Sequence, residues 1–443
     1  MVRSVLTRSA NLTKYQTELS KHRQSLKDHQ TFSYIVDTVN EILIDRYNEK
    51  IERKRLSIIL PKVRQIIVEK GFYIPGIPVD ALAQHTTEAL TGYGRIHQLI
   101  ANKEINNITI HDYRKTYIMQ NLKWRPLHID FGNPSNLDKY IRRVVSRLGG
   151  RFTLANPIAN VEDEDFNLRI RATGFDISPD SPKLYIRRLS KDILKPDQVR
   201  YAMSESVEEF LKFCIKSRFN IGVAGTYGSG KTSILALLLS WASPLSHIAL
   251  IQSANEIQNV HPYMSRLFTR DLVGEKANAI SESNLLTLTK QITPQVLALG
   301  ELLDEAAHTL LHLLQQGVQS LYTYHADDPT GAINAYNYMV QMAASNQYSE
   351  ERILMESAKY NDIMIIMDRL RAREIVQFTG EIKNGMPQYE TLFSFNISEE
   401  TQYELKGEWK KEPGSVLCEK LQRKASLAGA RIPSEFKPRV VVY

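Results

Sequence analysis

Cysteine is nearly missing from this chain. Its 443 residues contain two, Cys214 and Cys418, far apart and without a partner pattern. That argues against a disulfide framework and against a zinc site. Long apolar runs are missing too. None approaches the roughly eighteen residues of a membrane span, and the longest follows Lys231. The opening residues Met1-Val2-Arg3-Ser4-Val5 lack the apolar core of a signal peptide, so a cytosolic location is expected. Acidic balance is short in one place only. Residues 1–70 carry fourteen Lys or Arg against eight Asp or Glu, while the whole chain has a net charge of +7, so the remainder is almost neutral. Such a basic segment fits an acidic partner, an anionic membrane face, nucleic acid or a solvated helical surface. It lacks the interleaved aromatic residues of a single-strand-binding surface, which counts against nucleic acid.

A chain of this length is too long for one ordinary core, and its composition changes along the way. Residues 1–90 read as a basic, helical N-terminal segment, mobile up to about residue 30. Apolar residues at helical spacing run from Phe32 to Lys70 with an interruption at Pro61, and a second helix covers Val79 to Leu90. Residues 91–188 read as a small α+β domain. Its strands are Ile105 to Ile110, Thr116 to Gln120, Leu127 to Ile129, Phe166 to Ala172 and Lys183 to Arg188, with a helix over Leu137 to Leu148. Residues 189–200, with Pro196, read as a linker. In residues 201–397 short apolar strands alternate with helices, which predicts a parallel α/β sheet. Residues 398–443 form a charged, proline-interrupted tail without an assigned structure.

What this chain does have is a complete phosphate-binding loop, Gly225-Thr226-Tyr227-Gly228-Ser229-Gly230-Lys231-Thr232, followed by Ser233. A buried strand precedes it and a buried helix follows, the context the motif requires. Gly225, Gly228 and Gly230 let successive N–H groups turn toward an anion at a helix N-terminus. Lys231 supplies charge for the β- and γ-phosphates, and the Thr232 hydroxyl can ligate Mg²⁺. The expected cofactors are ATP and Mg²⁺.

Hydrolysis also needs groups at the ends of neighbouring strands. Three strand ends qualify: Ile251-Gln252-Ser253 followed by Glu256, Leu299-Gly300-Glu301, and Thr323-Tyr324-His325. Glu301 suits a second-sphere Mg²⁺ carboxylate, and His325 a nucleotide-sensing group.

The order of these motifs resembles the secretion ATPases of type II and type IV secretion, conjugation and pilus systems, the Tad-pilus and conjugative branch most closely. The likeness runs from about Leu90 to Phe395. It includes Leu90-Thr91-Gly92-Tyr93-Gly94, Tyr185-Ile186-Arg187-Arg188, Glu256-Ile257 with His261-Pro262, Gly300-Glu301, and Gly317 through His325-Ala326 with Pro329. The resemblance implies a RecA-like P-loop ATPase domain behind a smaller α+β N-terminal domain and an N-terminal helical segment. It further implies a hexameric ring of identical subunits and an inner-membrane platform protein as partner. ATP would lie between the two domains, with arginines of the N-terminal domain reaching its phosphates; Arg169 and Arg188 are the candidates, with Arg171 and Arg187 also present.

The chain departs from the family's pattern at informative places. Gln252-Ser253 stands where the family carries Glu-Asp, Leu303 where it has Arg, and Asn160-Val161-Glu162 where it has Asp-Ala-Arg. A carboxylate can take a proton from water, whereas an amide can only orient it. Three expectations follow: Gln252 orients water for slow turnover, Glu256 substitutes for the missing carboxylate, or ATP binds without useful hydrolysis. A motor subunit is the first reading, a nucleotide-binding scaffold the second and a nucleic-acid motor the third.

Overall fold

The computed structural model describes residues 32, 34–43, 46, 56–120, 123–189, 194–270, 279–343, 348–401 and 404–437. The expected mobile segment up to residue 30 therefore lies outside the described residues, as does the middle of the linker. The chain divides into two compact units at Arg188/Leu189.

The first unit opens with helical residues 34–43 (α1), Leu56–Lys70 (α2) and Val79–Thr91 (α3). Ile35, Val39, Ile59, Val63, Ile66 and Leu82 form their common core. Pro61 does not interrupt α2 as expected. It removes one backbone N–H, but burial of Ile59 and Val63 on either side outweighs the loss.

Next comes a short helix His97–Ala101 (α4) and a six-stranded sheet with Pro134–Arg147 (α5) on one face. Its strands are Ile105–Ile110 (β1), Thr116–Gln120 (β2), Lys123–Leu127 (β3), Ile158–Asp163 (β4), Leu168–Thr173 (β5) and Lys183–Arg188 (β6). Their order is β3-β2-β1-β6-β5-β4, with every pairing antiparallel. Ile108, Ile170 and Ile186 pack with Leu137, Ile141 and Val145 of α5. The third strand lies earlier than the expected 127–129: β3 pairs Lys123 with Gln120 and Leu127 with Thr116. As an edge strand with little burial, it lacks the apolar alternation by which strands are read. Ile129 and Phe131 are core residues in the loop that follows. β4 carries no strand signal in the sequence, because only Val161 of its inward-facing Ala159, Val161 and Asp163 is a strong strand former.

The second unit begins with Pro196–Ala202 (α6), which starts within the expected linker and runs past its end, and Glu205–Lys216 (α7). Its strands are Ile221–Gly225 (β7), Ile248–Gln252 (β8), Met264–Phe268 (β9), Val296–Leu299 (β10), Gln319–Tyr324 (β11), Ile363–Asp368 (β12), Arg371–Lys383 (β13), Met386–Glu400 (β14) and Leu405–Lys411 (β15). They form one sheet in the order β15-β14-β13-β12-β7-β11-β10-β8-β9. From β12 to β9 the pairings are parallel; from β12 to β15 they are antiparallel.

Strands β7, β8, β10 and β11 are buried along their whole length, as a parallel sheet covered on both faces demands. Alternation assigns the layers. Ile221 and Val223 of β7 face the helices Lys231–Ser240 (α8) and Glu419–Leu427 (α13). Ala224 faces the layer built by Glu282–Ile292 (α9), Asp304–Gln315 (α10), Pro329–Ala343 (α11) and Glu350–Tyr360 (α12).

The stretch left unassigned beyond residue 398 folds as part of this unit. β15 extends the sheet, and Phe436 is fully buried with its ring 4.7 Å from that of Phe210.

Candidate nucleotide site

The loop leaves β7 at Gly225, where a side chain would meet the Met367 carbonyl at 2.4 Å, so only glycine lets the turn pass this close to β12. Gly228 and Gly230 take φ of 73° and 94°, the left-handed region open to glycine. Ser229 is buried and its Oγ donates to the Thr226 carbonyl at 2.8 Å, which closes the turn. Helix α8 then starts at Lys231 with no side chain capping its N-terminus. Its first N–H groups are left for an anion, and the donor set of ammonium, hydroxyl and helix N-terminus fits a polyphosphate.

Lys231 is 7% exposed. Its Nζ donates to the carbonyls of Gly225 and Thr226, each at 2.8 Å, and to His325 Nδ1 at 3.1 Å. An ammonium only donates, so Nδ1 accepts and the ring proton sits on Nε2, which donates to Glu301 Oε1 at 3.1 Å. Strand ends β7, β11 and β10 thus align Lys231, His325 and Glu301 in one chain of hydrogen bonds. Tyr227, at the exposed tip of the loop, stacks on His325 with ring centroids 3.9 Å apart.

On the β8 side, Thr232 Oγ1 donates to Glu256 Oε2 at 3.1 Å. Gln252 holds the loop that carries Glu256: its Nε2 donates to the Ile257 carbonyl at 3.0 Å, and its Oε1 accepts from the Ile257 N–H at 3.1 Å. Gln252 is buried and both ends of its amide are engaged with main chain, so in this arrangement it braces Glu256 and does not present itself to a water molecule. Leu303 is half exposed at the start of α10, and Ser253 is exposed.

The arginines belong to the first unit. Arg188 is not displayed as a ligand for phosphate: its guanidinium donates to the carbonyls of Ile100 at 2.6 Å, Ile105 at 3.0 Å, Asn102 at 3.2 Å and Phe166 at 3.4 Å. Burial lowers its pKa, and its role there is to tie α4 and two strand ends together. Arg169 lies across from Glu162 on β4 and Arg187 on β6.

Among the described residues, no group of three or more His, Cys, Asp or Glu is placed to hold a metal ion. A divalent ion at this site would be held by Thr232, water and phosphate oxygens, the habit of Mg²⁺. A cavity of about 660 Å³ lies between β13, β14 and α13, away from the loop and with mixed charges. The β12–β13 turn beside the loop has no signature in the sequence, because Arg369-Leu370 carries no turn-forming residue.

The loop, the strand-end residues and the parallel sheet define a P-loop nucleotide-binding protein of RecA-like architecture. Residues 140–400 match the family described as Type II/IV secretion system protein, and the chain belongs to that family. It is similar to an uncharacterized protein of Methanocaldococcus jannaschii, 23% identical over 251 residues, covering 56% of this chain and 45% of that protein. It is also similar to protein VirB11 of Rhizobium radiobacter, 28% identical over 178 residues, covering 40% of this chain and 51% of that one. The chain spans about half the length of these curated relatives. Among solved structures, the Legionella pneumophila ATPase DotB aligns over 61% of this chain and 74% of its own, with 14% identity and a TM-score of 0.43. Among the described residues no helix is long and apolar enough to cross a membrane.

Proposed function

We propose that this chain is the ATP-hydrolysing motor subunit of a secretion, pilus or conjugation machine, working as a homo-oligomeric ring, hexameric by analogy with its family. The observation that carries the reading is the contact between Glu256 and Thr232. It sets a carboxylate beside the hydroxyl meant for the metal, although the strand end itself has lost its acid. Lys231 and the loop N–H groups would hold the β- and γ-phosphates, and Thr232, with Glu301 acting through water, would hold the ion. Bound Mg²⁺ supplies charge neutralisation across the transferred phosphoryl group. Glu256, braced by Gln252, accepts the proton of the attacking water. His325 senses the nucleotide by giving up its bond to Lys231 when Lys231 turns to the phosphates. The machine side of the reading assigns the basic residues 1–70 to a platform protein at the cytoplasmic face of the membrane, with anionic lipid as a further contact.

A second reading, a nucleotide-binding scaffold within such a ring, is favoured by one observation: Gln252 stands at the strand end with its amide fully engaged. Steady-state Mg²⁺-ATP hydrolysis by the assembled protein separates the two. The motor reading expects turnover that Lys231→Ala abolishes. Wild-type turnover equal to that of Lys231→Ala, with ATP still bound, would establish the scaffold.

A further inference from the structure

One cluster of titratable side chains lies apart from the phosphate loop, where α10 meets the start of α12. His308 and His312 stand four residues apart on α10, so both side chains share one face of the helix. Their rings are in contact, with centroids 4.6 Å apart, and the ring of Tyr348 packs on both, at 5.1 Å and 5.9 Å.

Gln315 and Glu356 fix the proton on one of these rings. A carboxylate only accepts, so the end of the Gln315 side chain that meets Glu356 is its Nε2 amide. Its Oε1 is thereby turned to His312 Nδ1, at 3.3 Å, and accepts the proton held there. His312 Nε2 keeps its lone pair and faces the Tyr348 hydroxyl at 3.5 Å, the outer limit of a hydrogen bond. Arg352 anchors the relay from the other side, its Nε donating to Glu356 Oε1 at 3.0 Å. A ring N–H tied to an oxygen that is itself tied is the arrangement that orients histidines on a metal ion.

His308 supplies the second nitrogen. Its Nε2 is buried and has no hydrogen-bond partner among the described residues, a state native structures avoid unless water or an ion completes it. Burial, with His312 adding to it, lowers the His308 pKa, so at neutral pH the ring is in the neutral form that ligates. Two imidazoles on one ion, each nitrogen at about 2.1 Å, set their centroids roughly 5 Å apart. The spacing already present is close to that.

Charge contributes little here. Glu356 is paired with Arg352, whose guanidinium lies 4.3 Å from the Tyr348 ring centroid, and Lys290 is near enough to lower the His308 pKa as well. Affinity must come from the nitrogen lone pairs. That suits ions of the zinc class and excludes Mg²⁺ and Ca²⁺, which require oxygen.

We propose that His308 and His312 form a two-histidine chelate for a transition-metal ion of the zinc class, with Tyr348 beside it and water completing its shell. Helix α10 covers the opposite face of the sheet from α8, so this site is distinct from the Mg²⁺ position at Thr232. The ion ties α10 to the residue that leads into α12.

Calorimetric titration of the full chain with Zn²⁺, without nucleotide and in excess Mg²⁺, tests the proposal. One ion per chain is expected to bind and to raise the melting temperature. His308→Gln and His312→Gln should each weaken binding about a hundredfold or more, and Gln315→Ala about tenfold, the scale of losing a group that orients a ligand. All three side chains are only half-buried, so the ion-free variants should melt close to wild type. Two independent ligand variants guard against a loss caused by misfolding in one. A wild type that binds no Zn²⁺, or binds it with an affinity unchanged in both histidine variants, overturns the chelate.

Discussion

Lys231 and His325 are joined directly, Nζ to Nδ1 at 3.1 Å, and the imidazole passes the connection on to Glu301. The ammonium that is to hold phosphate is therefore held by protein groups instead, and a nucleotide must displace the histidine to engage it. Two substitutions should then separate binding from turnover. Lys231→Ala is expected to lose ATP binding. His325→Ala is expected to keep ATP affinity within a few-fold while turnover drops about a hundredfold, the scale of one positioned polar group. Parallel measurement of Kd and kcat checks this; equal losses in both for His325→Ala would refute it.

Glu256→Gln should lower turnover about a hundredfold or more with ATP affinity nearly kept. Gln252→Glu should not rescue it. An ionised carboxylate cannot donate to the Ile257 carbonyl, so the new acid would unseat the loop rather than replace Glu256. Rescue of turnover in the Glu256→Gln/Gln252→Glu pair would assign the water to position 252.

Gln252→Ala removes both bonds to Ile257 and leaves a buried carbonyl and N–H without their partner. The expected cost is about 1–3 kcal/mol of stability. A denaturant titration measures it, and an unchanged midpoint would show that the brace is not needed.

Asp362 is almost fully buried between Lys420 and Lys424 of α13, and it also accepts from the Asn220 N–H at 2.9 Å. Asp362→Ala should cost about 3–5 kcal/mol, because it leaves a buried ammonium uncompensated. Burial already lowers the pKa of Lys420 from its ordinary 10.5, with Asp362 opposing. Between that lowered value and 10.5 the unfolded chain binds the extra proton, so stability rises with pH across that window. Without Asp362 the folded value falls further, and the rise should begin at lower pH. Thermal melts of wild type and variant from neutral to alkaline pH read the difference.

Cys214 is fully buried on the inner face of α7, and burial pushes its thiol well above the usual range. Cys418 is half-buried, its thiol also raised by burial, with Sγ 3.5 Å from the Phe378 carbonyl. Neither should alkylate at an appreciable rate in the native protein at mildly alkaline pH. Labelling of Cys214 should track global unfolding. Rapid labelling without denaturant would show that α7 opens locally.

Much of the second unit is legible in the sequence for a physical reason. Strands such as Ile248–Gln252 and Val296–Leu299 are covered on both faces and so read as plain apolar runs between helices. The phosphate loop is legible because its backbone needs glycine at fixed steps. What escapes is whatever depends on a partner distant in sequence. β3 is an edge strand without an apolar face, and β4 turns Asp163 inward because Tyr93, seventy residues earlier, donates to it at 2.7 Å. The engagement of Gln252 by Ile257 and the arrangement of Arg188 among four carbonyls are likewise invisible in composition or spacing. The turn at Arg369-Leu370 hides for the opposite reason: its residues are wrong for its shape, and only the backbone angles disclose it.

The placement of Phe436 beside Phe210 and Phe393 bears on how the second unit is made. The rings that close this layer come from α7, from β14 and from a point more than two hundred residues after α7. During synthesis, α7 and the strand leading to the phosphate loop therefore emerge long before their cover exists. The unit cannot reach its final packing on the ribosome until residue 436 has cleared the exit. Until then an apolar surface stays open to chaperones or to neighbouring nascent copies.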